Sequence, residues 1–388
     1  MSPNILGLDI GSSTICASLF VSAGEDLILK GIGTTASAGI VKGKIQSMEL
    51  VQKAIDKAIQ KAELLAQCRA HHVVLTLPCY EQGSVYSSGI LSNSKKMGKI
   101  KPAEKLECVK RSQLKLPLHE ATILHTLPLQ FKVDGAAVLN PVGIEGVQLE
   151  VLTHTILGST ATINTLKQWL NHRHLTVRAF VSDTLGHAEL ALTPTEYQNG
   201  AILVDIGGRY TKVSLFEKNV LQNITLIPIA GDSISADISY GLKLSLQDAD
   251  KAKTFYTGIP SPNIDQSEFV ELACAIQGTR QIPTQYLHRI MEARLEELFK
   301  FVSKAIQKHP QAASFPLVLC GRSSQIKGIE RYAENIHPKV RLGHTSPDAD
   351  YSCASGLVQY HKRLKFLVET QKKQDPLSRF NRWVKEFF

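Results

Sequence analysis

Two aspartates at matching places carry the strongest chemical signal in this chain. Asp9 stands in Leu8-Asp9-Ile10-Gly11-Ser12-Ser13 and Asp205 in Val204-Asp205-Ile206-Gly207-Gly208, 196 positions later (205 minus 9). The ungapped match resumes at Ser-Leu-Phe, ending at Phe20 and Phe216. Each acid closes an apolar run and opens a turn of glycine and hydroxyl residues. Glycine turns leave backbone N–H groups that can cradle phosphate oxygens, as nests do, and Ser12, Ser13 and Thr211 add hydroxyl donors. An aspartate beside phosphates needs a cation, so Asp9 and Asp205 imply Mg2+ held through its waters. Two such turns facing one another would clamp one nucleotide. A single Asp-x-Gly turn says little; two in register half a chain apart imply duplicated architecture.

The elements around these turns follow from periodicity. The runs on either side of each turn are β-rich, so each acid belongs to a strand–turn–strand hairpin, and 27–33 continues the first sheet. Ser47 reads as an N-cap; Leu50, Val51, Ala54, Ile55, Ala58, Ile59 and Ala62 then predict an amphipathic helix to about Cys68. A buried strand over 72–78 ends this block. From Glu81 to about His154, short strands, a helix near 102–113 and the turn Asn140-Pro141-Val142-Gly143-Ile144-Glu145-Gly146 predict an inserted subdomain. The lysines and arginines crowding 95–115 read as a solvated face. Helices over 161–170 and 184–192 flank a strand at 177–182. After the second hairpin comes the loop Pro228-Ile229-Ala230-Gly231-Asp232, then a helix carrying Asp237. The next helix puts Asp250 and Lys253 on one face at i, i+3. Residues 259–285, polar and punctuated by proline, predict a loop region with one short helix, and 286–308 a long helix. A strand ending at Cys320, a turn at Gly321 and a helix start offer backbone N–H groups to an adenosine or a phosphate.

Composition bounds the class. The 388 residues are 43% hydrophobic and 20% charged, as expected of a globular protein with at least two domains. There is no secretory leader pattern and no apolar run long enough to span a bilayer. Seven scattered cysteines, with no C-x-x-C spacing, read as reduced thiols of a cytoplasmic protein. A net charge of +9 permits an anionic partner, nucleic acid or lipid. The histidines give no zinc ligand set, and no Ser/His/Asp nucleophile arrangement is present. From about Lys362 the chain reads as a basic linker. It then closes on Leu377, Phe380, Trp383, Val384, Phe387 and Phe388, one apolar stripe at helical spacing, opposite Arg379, Arg382, Lys385 and Glu386. An aromatic stripe backed by basic residues predicts contact with a membrane surface.

Paired Asp-Gly hairpins, a later Gly turn and an acid/Lys pair resemble the actin-like ATPase superfamily. Within it the chain resembles, along nearly its whole length, the bacterial FtsA family of cell division. Beyond the hairpins, the residues carrying this are Gly39-Ile40-Val41-Lys42-Gly43-Lys44-Ile45, Asn140-Pro141-Val142-Gly143-Ile144-Glu145-Gly146, Asp237-Ile238 with Gly241-Leu242, Ala249-Asp250 with Lys253, and the terminal stripe. The Asn-Pro-x-Gly block and that stripe are the specific ones. The resemblance implies an α/β, actin-like (ribonuclease H-like, duplicated) two-lobed fold with an FtsA-type inserted subdomain and a C-terminal amphipathic helix. It implies a first-lobe core of 1–80, completed by about 156–198 and 354–366, with the insert at 81–155. The second-lobe core would be 199–230 and 313–353, its subdomain 231–312, the linker 367–376 and the membrane helix 377–388.

The resemblance also implies ATP with Mg2+: phosphates on Gly11, Ser12, Ser13, Gly207, Gly208 and Thr211, with Gly231 in the following loop, and the nucleoside on Asp250, Lys253 and Gly321. Implied partners are further copies in a filament, the C-terminal tail of the tubulin-like FtsZ, an anionic membrane and other divisome proteins, with no nucleic acid. Arg294, in Glu292-Ala293-Arg294-Leu295-Glu296-Glu297, would meet an acidic residue of that tail. The implied location is peripheral, on the cytoplasmic face of the cell membrane at the division septum. No catalytic residue is assigned. Ser182 and Asp183 are the only polar candidates for positioning a water, so ATPase activity is expected to be weak or absent. The chain departs from the family at Arg209-Tyr210, where a third glycine is usual, at Ala230, and at Arg322 after Gly321. Two alternatives are a pilus-assembly protein of the superfamily and a small-molecule kinase, which would need a general base on its acceptor hydroxyl. Neither gives the terminal stripe a role.

Overall fold

The computed structural model describes residues 4–24, 26–41, 43–92, 98–116, 118–275, 278–343 and 352–374. Its first hairpin is β1 (Ile5–Ile10) and β2 (Thr14–Ala23), paired antiparallel from Ile5 with Phe20 to Ile10 with Ile15. β3 (Asp26–Ala36) adds to β2, α1 (Met48–Ala66) crosses over, and β4 (His72–Leu75) returns parallel to β1. The Ser47 side chain caps α1 by accepting from the Leu50 N–H. Val51, Ala54, Ile55, Ala58, Ile59 and Ala62 are buried, whereas Leu50 is exposed. Helix and strand approach closely because β3 carries Gly31 and Gly33: a Cβ on either would lie 2.0 Å from the Ala62 carbonyl oxygen or 1.9 Å from that of Ala58.

The insert is an antiparallel sheet of β5 (Gln82–Ser92), β6 (Ala121–Val133), β7 (Ala136–Val138) and β8 (Gln148–Ser159), in the order β7-β6-β8-β5. α2 (Pro102–Gln113) packs Cys108 and Val109 on Phe131, Val133, Leu149 and Val151. Gly143 takes φ +88° in the Asn140–Gly146 turn. One of the basic residues expected on a solvated face is not simply solvated. Lys105 lies 5.0 Å over the Phe131 ring and donates to Asn140 Oδ1, and its burial lowers its pKa. α3 (Thr160–His172) and β9 (Thr176–Phe180) then complete the first sheet, ordered β9-β4-β1-β2-β3. α4 (Asp183–Ala191) leads on.

The chain divides into two compact units. One runs to Glu189 and takes in Val220–Asn223 and the described residues from Cys353 on; the other is Leu190–Asn219 with Ile224–Ser352. α5 (Pro194–Asn199), expected in the first lobe, thus goes with the second unit, where Arg341 reaches Glu196. The second sheet comprises β10 (Ala201–Ile206), β11 (Thr211–Glu217), β12 (Val220–Ile227), β15 (Leu317–Cys320) and β16 (Val340–Leu342). Its order, β12-β11-β10-β15-β16, is that of β3-β2-β1-β4-β9, with β15 parallel to β10 as β4 is to β1. The duplication seen at two turns therefore extends to whole sheets. α6 (Gly231–Leu242), α7 (Leu246–Ala252), α8 (Thr284–Gln307) and α9 (Ile329–Glu334) pack Ile234, Ile238, Leu287, Met291, Leu295 and Ile329 into one core with this sheet.

Two expectations are corrected. Residues 259–285 hold, besides a 3-10 turn at Ser261–Asn263, a hairpin of β13 (Phe269–Cys274) and β14 (Gly278–Pro283), paired from Phe269 with Pro283 to Cys274 with Gly278. Only Leu272, Cys274 and Ile282 of these strands are buried, so a mostly solvated ribbon reads as loop. The basic stretch from Lys362 is not a linker up to residue 374, since one helix runs Ser352–Gln374. Basic composition reports solvation, not breakage, and the segment has neither Gly nor Pro after Gly356 until Pro376. This helix docks on β1 where Gly7 leaves room, a Cβ there lying 1.8 Å from the Ala354 carbonyl oxygen. The predicted membrane residues Leu377, Phe380, Trp383, Val384, Phe387 and Phe388 lie outside the described residues. Among the described residues, no helix is long and apolar enough to cross a membrane.

Candidate nucleotide-binding site

In the first unit Asp9 sits near the end of β1, opposite Cys16. The residue just past β4 is a partner that sequence reading missed: the fully buried hydroxyl of Thr76 accepts from the Ile10 N–H at 2.8 Å and donates to Asp9 Oδ1 at 3.1 Å. One side chain thereby satisfies a buried amide and orients the carboxylate. The only sequence signal was a polar residue closing an apolar strand before Pro78. Ser37, just past β3, holds the turn by donating from its N–H to the Ser13 carbonyl at 2.9 Å and from Oγ to that of Gly11 at 2.6 Å. Gly11, Ser12 and Ser13 are half-buried.

In the second unit Asp205 takes the equivalent place, opposite Cys320 of β15. Gly321, expected to touch the nucleoside, is held to a stricter requirement. At φ +84°, a Cβ there would lie 2.2 Å from Asp205 Oδ1. The Gly207 N–H donates to the Tyr210 carbonyl at 3.1 Å, closing the turn. Its carbonyls face α6. That of Gly207 accepts from the Gly231 N–H at 3.2 Å and Ser323 Oγ at 2.7 Å, and that of Gly208 from the Asp232 N–H at 2.6 Å. α6 has Ala230 at its N-cap, with no side-chain oxygen, and these carbonyls accept from the helix's first amides instead. A Cβ at Gly231 would lie 2.2 Å from Ser323 Oγ, so a larger residue would displace the hydroxyl that bonds the Gly207 carbonyl. Arg209, on the same turn, donates from Nε to Asp232 Oδ2 at 3.3 Å.

Thr211 corrects an expectation. It is fully buried and spends its one O–H on the Ile229 carbonyl at 2.8 Å, so it has no proton to donate to a phosphate. Asp250 and Lys253 do meet, Nζ donating to Oδ1 at 2.6 Å. Lys253 also donates to Ser235 Oγ at 2.9 Å and to the Gly231 carbonyl at 3.3 Å, and Ser235 donates to Asp250 at 2.9 Å. Burial pushes the Asp250 carboxyl up, but the Lys253 and Ser235 bonds and the Arg322 charge outweigh this and hold it below the usual carboxylate range. Ser235 and Ser323 went unnoticed in the sequence because serines carry no signal until their partners are known. Arg294 on α8 is already engaged: Nε and a terminal nitrogen fork onto Asp237 of α6 at 2.5 and 2.9 Å, and Glu297 takes the other nitrogen.

Each unit thus presents a carboxylate at a strand end beside a glycine turn. That donor set suits a hydrated divalent cation and phosphates. Duplicated five-stranded sheets with these turns define the class: the chain has the actin-like fold. It superposes on the PilM–PilN type IV pilus biogenesis complex with a TM-score of 0.63 (16% identity, 92% of this chain and 97% of that one). It superposes on Spiroplasma citri MreB5 bound to ADP with a TM-score of 0.55 (12% identity, 95% and 99%).

Within that class the chain belongs to the FtsA family of cell-division proteins. The family model for cell division protein FtsA matches residues 202–357, and that for the SHS2 domain inserted in FtsA matches 84–157. Cell division protein FtsA of Pseudomonas aeruginosa is 29% identical, covering 87% of this chain and 82% of its own length. That of Escherichia coli K12 is 25% identical, covering 98% and 96%. The inserted-subdomain match coincides with the β5–β8 sheet and α2.

Proposed function

We propose that this protein binds Mg-ATP, assembles with copies of itself, and tethers FtsZ to an anionic membrane at the cytoplasmic face of the division septum. The observation that carries the nucleotide part is the duplication itself. Two sheets of the same strand order each carry an aspartate one residue before the end of their central strand, ahead of a glycine turn. Asp9 and Asp205 would hold the waters of Mg2+, and Gly11, Ser12, Ser13 and Gly208 would meet the phosphates; Gly207, expected to do so too, has its one N–H committed to the Tyr210 carbonyl and shapes the turn instead. Asp250 would accept from the ribose hydroxyls, with Lys253 and Gly321 beside it. When bound, the nucleotide and its metal supply a charge that this chain's own groups must balance and orient. Thr76 and Gly321 serve that end by fixing Asp9 and making room for Asp205. The solved MreB5 structures bound to AMPPNP and to ADP support the reading through their shared fold.

The FtsZ part rests on Arg294, which an acidic tail residue would take over from Asp237. The membrane part rests on the stripe Leu377, Phe380, Trp383, Val384, Phe387 and Phe388. Sedimentation with anionic liposomes, with and without ATP, tests the whole. The full chain should pellet with ATP, and a chain lacking 377–388 should not. Calorimetry tests the site: an Asp205→Ala variant binding Mg-ATP as tightly as wild type would remove the metal role.

A further inference from the structure

Resting on the nucleotide reading above, we propose that Arg209 distinguishes a nucleoside triphosphate from a diphosphate, and that Asp232 holds its guanidinium until the third phosphate arrives. Arg209 lies on the turn that follows Asp205, between Gly208 and Tyr210. The carbonyls of Gly207 and Gly208 on that turn are committed to the first amides of α6 and to Ser323. Thr211 is committed to Ile229, and Arg209 brings a positive charge to the turn itself, between the hairpin strands.

The Arg209–Asp232 contact has the geometry of one that can be exchanged. It runs from Nε to Asp232 Oδ2 at 3.3 Å, longer than the usual charge-assisted bond, and both side chains are part-exposed, 34% and 45%. Pairs of this kind contribute little to stability. Phosphate, by contrast, matches the planar guanidinium fork with two parallel bonds. Asp232 loses little on release, because it sits in the first turn of α6, where the helix dipole favours a carboxylate. Mg-ATP carries one more negative charge than Mg-ADP, at the end remote from the nucleoside. The Gly231 carbonyl, in the residue before Asp232, accepts from Lys253 of the nucleoside pair. Turn, helix start and nucleoside pair are therefore one bonded cluster within the second unit. A glycine at position 209 would bring no such charge.

Calorimetric titration of the full-length wild type, Arg209→Ala and Asp232→Asn with Mg-ATP and Mg-ADP tests this. Each variant is first matched to wild type by circular dichroism. Arg209→Ala should weaken Mg-ATP about tenfold, the effect of one lost charge-assisted contact, while changing Mg-ADP by less than about twofold. Asp232→Asn should tighten Mg-ATP by about two- to fivefold, the scale of a released surface ion pair, with Mg-ADP unchanged. Equal losses for both nucleotides in Arg209→Ala would overturn the discrimination. An unchanged or weaker Mg-ATP affinity in Asp232→Asn would overturn the latch. A wild type that binds neither nucleotide would remove the nucleotide reading itself, a result distinct from either variant outcome.

Discussion

The hydroxyl of Thr76 is placed where one atom serves both folding and site geometry. Replacing it with valine, of similar shape, leaves the Ile10 N–H buried without its acceptor, which costs about 1–3 kcal/mol. Thr76→Val should lower the urea midpoint and weaken Mg-ATP, whereas Thr76→Ser should do neither; a Thr76→Val protein with wild-type urea midpoint would contradict the bond. His125 makes a pH prediction. Its Nε2 accepts from the Ser182 N–H at 3.2 Å, its ring meets Tyr360 edge-on, and complete burial pushes its pKa down to about 3. The unfolded chain therefore takes a proton on this side chain below about pH 6.5 that the folded chain refuses, so stability is full above that pH and falls as pH drops toward 3. His154, also lowered by burial, acts in the same direction. The loss should approach about 1.4 kcal/mol per proton per pH unit. Urea titrations at pH 7.5 and 5.5 should show a smaller loss in His125→Gln than in wild type.

Among elements, two helices depend on what they touch more than on their own propensity. α1 owes its close seat on β3 to glycine, so Gly33→Ala forces a methyl against the Ala58 carbonyl and should destabilise by about 1–3 kcal/mol, read as a lower urea midpoint with unchanged slope. α6 touches the Gly207–Gly208 turn at its start and Arg294 of α8 through Asp237. If an acidic tail takes Arg294 from Asp237, then Asp237→Asn should bind an FtsZ tail peptide more tightly and Arg294→Glu should lose it. Fluorescence anisotropy of a labelled peptide reads both. Peptide binding unchanged in the two variants would move the partner site off α8. The Arg294–Asp237 pair is part-exposed, so either change should shift stability by no more than about 1 kcal/mol.

For the whole molecule, the decisive expectation concerns 377–388. Burying each large apolar side chain stabilises by about 1.5–3 kcal/mol, and ordering each backbone residue costs about 1–2 kcal/mol, so over a dozen residues with six such side chains these roughly cancel. Attraction of Lys and Arg to anionic lipid, about 1 kcal/mol each, then decides binding. A single copy should bind weakly and an assembly tightly, through avidity. Trp383→Glu should leave the protein in the supernatant after sedimentation with anionic vesicles, its circular dichroism unchanged. Raised salt should weaken the wild type. Wild-type pelleting of Trp383→Glu, or pelleting indifferent to lipid charge, would end the tether proposal for residues 377–388.

Taken alone, the sequence determined the duplicated hairpins, α1 with its Ser47 cap, the inserted subdomain and the family, because each is written in local periodicity, turn chemistry or a repeat in register. What lay between distant positions was decided only by the tertiary structure. Thr76 meets Asp9 across 67 residues, Asp237 meets Arg294 across 57, and Gly321 clears space for Asp205 from another strand. The same holds where a local reading failed. Thr211 looked like a phosphate donor because its hydroxyl follows a glycine turn, yet the strand buries it against Ile229. The β13–β14 ribbon looked like loop because two strands with one shallow apolar face leave too little pattern to read. Local sequence sets which conformations are cheap; which polar groups find each other is set by the packing of elements far apart in the chain, and at this site those pairings fix the carboxylates.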